Sequence, residues 1–183
     1  MSEASIQQIY FRDAGLRFAE FCATFAEEFK SNNEKLEEDL PNLFSALDIF
    51  RSHYAWSAVA KLIYSLDNFL DGGGYLDHLR YWLEHVYKNA DMVEDKAILT
   101  SDFLSLAHLY AMQGMRNESI EIYELAIRMA DTRKDITSLA KAYYGFGTIF
   151  SGIGEIERAK QYWKTALYYA NQANEGIQVA IIK

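Results

Sequence analysis

Helix breakers are scarce in this chain: one proline and ten glycines in 183 residues. Long stretches therefore run with nothing to interrupt a helix. Cysteine is almost missing too. A chain whose one thiol is Cys22 can form no internal disulfide, and the expectation is a reducing, cytoplasmic compartment. No apolar run approaches the roughly 18 residues a membrane span needs. The opening residues Met1 to Ser5 lack the basic start and apolar centre of a signal peptide. Positive charge is in deficit, with a formal net charge of −8 and ten acids against five bases in residues 1–60. No basic patch stands out, which argues against nucleic acid and against anionic membranes as partners.

Apolar residues make up half the chain and aromatics 15%, enough for a continuous core and too many for a disordered one. Ala, Leu, Glu, Lys and Tyr are abundant, a composition that favours helices. The length is that of one or two ordinary domains.

Repeats organise the sequence. Gly74, Gly114 and Gly154 are each 40 residues apart. Before Gly154 stand Tyr143, Phe146, Gly147 and Phe150, and after it Ala159, Trp163 and Ala166. In the same slots around Gly114 stand Phe103, Leu106, Ala107 and Tyr110, then Ser119, Tyr123 and Ala126. Around Gly74 they are Ile63, Leu66, Asp67 and Leu70, then Leu79, Leu83 and Val86. Apolar residues at steps of three and four form one stripe of a helix. The small residues Gly147 and Ala107 inside the first stripe, with Ser119, Ala126, Ala159 and Ala166 opposite, let two helices approach closely. Both Gly147 and Ala107 are expected to be buried at that contact. Each of the spaced glycines ends the first helix, where a left-handed cap is needed. The pattern predicts antiparallel helix hairpins, none of which can bury its stripe alone.

These residues resemble the tetratricopeptide repeat, whose pattern is a bulky residue, then Leu-Gly or Leu-Ala, then Tyr, then Ala and Phe on the second helix. The copies at 103–126 and 143–166 match nearly slot for slot. The copy at 63–86 departs from it: Asp67 and Leu79 replace small residues, so its hairpin is expected to be splayed or differently packed. The period also exceeds the usual ~34 residues, and the surplus at 91–99 and 131–139 is expected to lengthen helices around the turns between repeats. The resemblance implies an all-α, right-handed superhelix of about eight helices. Its parts would be an N-terminal hairpin over 1–54, three repeats over 55–94, 95–134 and 135–174, and a further repeat or cap helix at 175–183.

In the N-terminal part, Ile9, Leu16, Ala19, Phe21, Phe25 and Phe29 mark a helix over about 5–30. Ser31-Asn32-Asn33 supplies a turn and an N-cap. A return helix runs from Glu34 to Phe50, with Pro41 either kinking it or marking a true start near Asp39. The stretch Leu36 to Leu47, then Ala55-Trp56 and Phe69-Leu70, is similar to the helical region that follows the nucleotide-switch module of bacterial signal-transduction (STAND-type) ATPases. That similarity implies a sensor or effector-binding arm. At the other end, Glu175 to Lys183 aligns with Asp135 to Tyr143. Ile177, Val179, Ile181 and Ile182 are not the polar face of a cap. The expectation is a truncated array or an interface, giving a homo-oligomer through the C-terminal helix.

No catalytic constellation emerges. Gly72-Gly73-Gly74 has neither the Gly-Lys-Ser/Thr nor the preceding strand of a phosphate loop. His78 and His85 are seven residues apart, whereas metal pairs on a helix sit three or four apart. His53 and His108 have no ligand partner at metal spacing, and Cys22 has no identifiable base. No enzyme activity, metal or cofactor is called for. The resemblance instead implies a groove lined by the first helix of each hairpin. Its slots fall on Lys61, Tyr64, Asn68 and Asp71, on Ser101, Leu104, His108 and Met112, and on Lys141, Tyr144, Thr148 and Ser151. A polar groove with two tyrosines suits a protein or peptide. The carboxylate clamp for chaperone tails is not matched, since only Asn68 and Lys141 of its five places agree while Tyr64, Ser105 and Gly145 do not. The reading is a protein- or peptide-binding scaffold. The alternatives are the sensor arm of a regulatory ATPase or a self-associating module.

Overall fold

The computed structural model describes residues 3–173, with side chains from residue 12 onward. Nine α-helices and one short 3-10 turn are found among the described residues, and no strand. The chain divides into two compact units, residues 1–95 and 96–183.

Unit 1 opens with α1 (Glu3–Phe29). Asn32 then caps α2 (Asn33–Glu38), its side-chain oxygen accepting the Lys35 amide at 3.2 Å. The return helix breaks at Asp39, and α3 (Leu40–Ser52) begins with Pro41 in its first turn, where the missing N–H costs nothing. The proline thus starts a new helix, and this break accounts for the ninth helix where hairpin counting gave eight. α1 lays Ala19, Cys22 and Ala26, all fully buried, against α3 and α4 (Trp56–Gly72). α5 (Leu76–Lys88) packs back on α4 through Leu79, Leu83 and Val86. Beyond it the surplus expected to lengthen helices does so only in part: Ala90–Met92 form a 3-10 turn, while 96–99 open the next helix. Two features hold that turn. Val93 turns into the core, and the Ser57 hydroxyl donates to the Met92 carbonyl at 3.3 Å while accepting the Glu94 amide at 3.0 Å.

Unit 2 is two long hairpins: α6 (Lys96–Met112) with α7 (Arg116–Arg133), and α8 (Ile136–Gly152) with α9 (Ile156–Gln172). Here the surplus residues at 131–133 do lengthen a helix, α7. Asp135 caps α8 by accepting both the amide and the hydroxyl of Ser138. The Ser119 hydroxyl donates to the Ala107 carbonyl at 2.6 Å, fully buried, tying α7 to α6. Glycines on two sides of α8 bring its neighbours in. A Cβ on Gly145 would strike the phenol of Tyr123 in α7, and one on Gly147 would strike the indole of Trp163 in α9. Gly147 and Ala107 are both buried, as the spacing predicts.

The turns follow one rule. Gly74, Gly114 and Gly154 have φ of +80°, +76° and +81°. Tyr54 and Lys134, with φ of +55°, occupy the same place in the turns leading into α4 and α8. At all five, the next residue donates its amide five positions back: Ala55 to Phe50, Tyr75 to Leu70, Met115 to Tyr110, Asp135 to Ala130 and Glu155 to Phe150. This is the Schellman closure of a helix end. Helices α4, α5, α7, α8 and α9 accordingly begin two residues after the left-handed one, at 56, 76, 116, 136 and 156, while α6, entered from the 3-10 turn, begins at 96 without that closure.

Candidate functional site

The slots assigned from sequence lie on α4, α6 and α8. On α4, Lys61, Tyr64, Asn68 and Asp71 step by three and four and are all exposed, with Tyr64 at 44%. On α8, Lys141, Tyr144 and Thr148 are exposed, Tyr144 at 40%, and Ser151 is half-buried. α6 differs. His108 and Met112 are exposed and Ser101 is half-buried, but Leu104 is only 8% exposed. Leu104 is therefore wall rather than contact. α6 buries Asp102, Phe103, Leu104, Leu106 and Ala107, more of its circumference than one stripe would need. Met112 also stands one place past the slot of Asp71 and Ser151, which Ala111 fills.

In unit 1, α1 adds a part that hairpin reasoning passed over. Phe21, Thr24 and Glu28 stand 40 residues before Lys61, Tyr64 and Asn68, and all three are exposed, Phe21 at 66%. The period carried upstream would have found them. The turn at Ser31 to Asn33 has no glycine, so nothing flagged α1 as a further copy. Thr24, Glu27 and Glu28 of α1 and Lys61 of α4 share the wall of a pocket of about 540 Å³. Glu27 is fixed there between the Lys30 ammonium at 2.8 Å and the Ser65 hydroxyl at 2.7 Å. Those two bonds, Lys30 first, hold its carboxyl below the usual range.

In unit 2, α6 lies against α8, and their C-terminal ends enclose a pocket of about 330 Å³. His108, Met112 and Thr148 meet there, joined by Arg116, Ile149 and Ile153. Ser101, Lys141, Tyr144 and Ser151 lie outside its wall. Arg116, the first residue of α7, and Ile153, which caps the end of α8, flank the hairpin turns and lie outside the first-helix slots read from the sequence.

The remaining candidates for chemistry are held otherwise. His78 stacks on Phe44, and His53 and His85 bond the carbonyls of Ile49 and Tyr81, one turn back, at 2.8 Å each. Cys22 is fully buried, and that burial, with Asp39 adding to it, pushes its thiol up and away from the reactive thiolate. Gly72 to Gly74 form the α4–α5 turn. Among the described residues no three His, Cys, Asp or Glu side chains are placed to hold a metal ion. Nor is any described helix long and apolar enough to cross a membrane. The apolar C-terminal residues Ile177, Val179, Ile181 and Ile182 lie outside the described residues.

The fold and surface define an all-α protein of helical hairpins. Neither a protein-family model nor a curated protein matches the chain. Its fold is similar to the crystal structure of BtubC (BKLC) from P. vanneervenii, with a TM-score of 0.53 and 18% identity over 90% of this chain. The chain spans 62% of the length of BtubC. At that identity the likeness is one of fold alone.

Proposed function

We propose that this chain is a tetratricopeptide-like, right-handed array of 40-residue hairpins, and that it works as a scaffold binding a protein or peptide, without catalysis. One observation carries the reading. Lys61-x-x-Tyr64 on α4 and Lys141-x-x-Tyr144 on α8 are the same pair of residue types in the same slot, two periods apart, and all four side chains are exposed. Packing gives no reason to keep a tyrosine turned outward twice. A phenol on a firm helix offers contact area and a hydrogen bond at small entropic cost. The neighbouring slots, Asn68 and Thr148, carry amide and hydroxyl groups suited to the backbone of an extended chain. Adjacent first helices lie side by side within each unit, α1 by α4 and α6 by α8, which gives each unit its own stretch of surface.

The test is selection of peptides from a random displayed library, followed by calorimetric titration against Tyr64→Ala and Tyr144→Ala. Selected peptides should bind the parent and lose at least several-fold in affinity on one or both variants. Peptides that bind the double variant as tightly as the parent would remove the groove from consideration.

A further inference from the structure

The two units differ in charge. Residues 1–95 hold seventeen acids and eight bases, whereas 96–183 hold nine acids and ten bases. The first helices of unit 2 go further. α6 and α8 together contain one acid, Asp102, and it is buried. Lys141 on α8 and Arg116 at the start of α7 are exposed, and neither pairs with an acid among the described residues. Other bases of the chain, such as Lys30, Arg51, Arg158 and Lys160, spend their charge on an acid three positions away.

The unit 2 pocket joins this charge to an apolar wall. Met112, Ile149 and Ile153 stand beside His108, Arg116 and Thr148, and among the described residues no carboxylate lines it. Lys141 precedes Thr148 by seven residues on the same helix, about 10 Å along the axis. An extended chain covers that distance in roughly three residues.

We propose that this pocket takes one large apolar side chain of an extended acidic peptide, with one carboxylate paired to Arg116 and a second, about three residues along, paired to Lys141. This rests on the reading of the first-helix faces as a binding surface and names the class of ligand for unit 2.

The probe is a fluorescein-labelled octapeptide with a central Leu, a Glu beside it and a second Glu three residues further, read by fluorescence anisotropy. Three twins accompany it, with both Glu changed to Lys, both changed to Gln, or Leu changed to Ser. The acidic Leu peptide should bind best, and its affinity should fall as salt is raised. The Lys twin should bind at least tenfold more weakly, and the Ser twin should lose the contribution of the pocket. The double reversal Arg116→Glu with Lys141→Glu should weaken the acidic peptide by roughly tenfold, the scale of two exposed pairs turned repulsive, and favour the Lys twin. Lys141→Arg should keep the parent's preference. Both positions are exposed, and an unchanged melting curve will confirm folding. Equal binding of the acidic and Lys twins, or parent-like binding by the double reversal, overturns the inference. If Tyr144→Ala still weakens a neutral or basic peptide, the groove stands and only its acidic preference falls. If no probe and no library peptide binds, both fall.

Discussion

The hairpins α4/α5 and α8/α9 are built on one register and close very differently. In α8/α9 the facing slots hold Gly147 and Ala159, both buried, and the two helices touch over most of their length. Trp163 lies against the bare backbone of Gly147. In α4/α5 those slots hold Asp67 and Leu79, and the pair touches least of the three hairpins. A leucine where the partner needs an alanine acts as a spacer, and it is paid back by burial: Leu79 is 1% exposed. α6/α7, with Ala107 and Ser119, lies between the two and adds a buried hydrogen bond. Closeness of a hairpin is thus set by two side chains, while its turn, a Schellman closure with a left-handed glycine in all three, stays constant.

The largest expected effect comes from treating the open hairpin as though it were a close one. Leu79→Ala gives α5 the small residue of its counterparts, yet α4 keeps Asp67 and cannot close. A cavity should remain, costing about 2–5 kcal/mol by the usual range for such truncations. Denaturant titration reads it. A cost below about 1 kcal/mol would mean that the hairpin collapses and that side-chain size alone set its opening. The converse insertion is next. Gly147→Leu drives a side chain into Trp163 and should cost about 1–3 kcal/mol. If it melts like the parent, the close approach of α8 and α9 is not the source of their stability. Smaller again is Ser119→Ala, which leaves the hairpin closed but removes the donor to the Ala107 carbonyl. A loss of about 1 kcal/mol is expected, the net value of one such bond.

Much of the fold is legible in the sequence, since local chemistry dictates it. A left-handed residue before a helix is cheapest as glycine, so Gly74, Gly114 and Gly154 announce their turns. A side chain on either of two slots would block a close approach, so Gly147 and Ala107 announce the contact. Four features were hidden, each for a physical reason. Pro41 fits a kink and a start equally well until the break at Asp39 is seen. Leu104 looks like a groove residue by spacing, but α6 is buried around more of its girth than a single stripe implies. The site extends to Arg116 and Ile153, which neighbour His108 and Thr148 only after the chain has turned. Sequence spacing along one helix carries no information on such neighbours.

Tyr54 and Lys134 are the other hidden feature, and they give the smallest and most discriminating test. Both hold φ of +55° in turns closed by the same five-back hydrogen bond as the glycine turns. A side chain in that conformation costs roughly 1–2 kcal/mol through the contact of Cβ with the following carbonyl. Glycine would relieve the strain but would give the unfolded chain more freedom, worth about 0.5–1 kcal/mol. Lys134 is exposed and its side chain makes no ion pair among the described residues, so Lys134→Gly isolates the backbone effect. A net gain of about 0.5 kcal/mol is expected, raising the melting temperature by roughly 1–2 °C in a protein of this size. The same change at Gly114, to Lys, should destabilise by a comparable margin. If Lys134→Gly instead lowers the melting point, the left-handed turn there is held by the lysine stem packing on its neighbours. The five turns would then share a hydrogen bond but not a common cause.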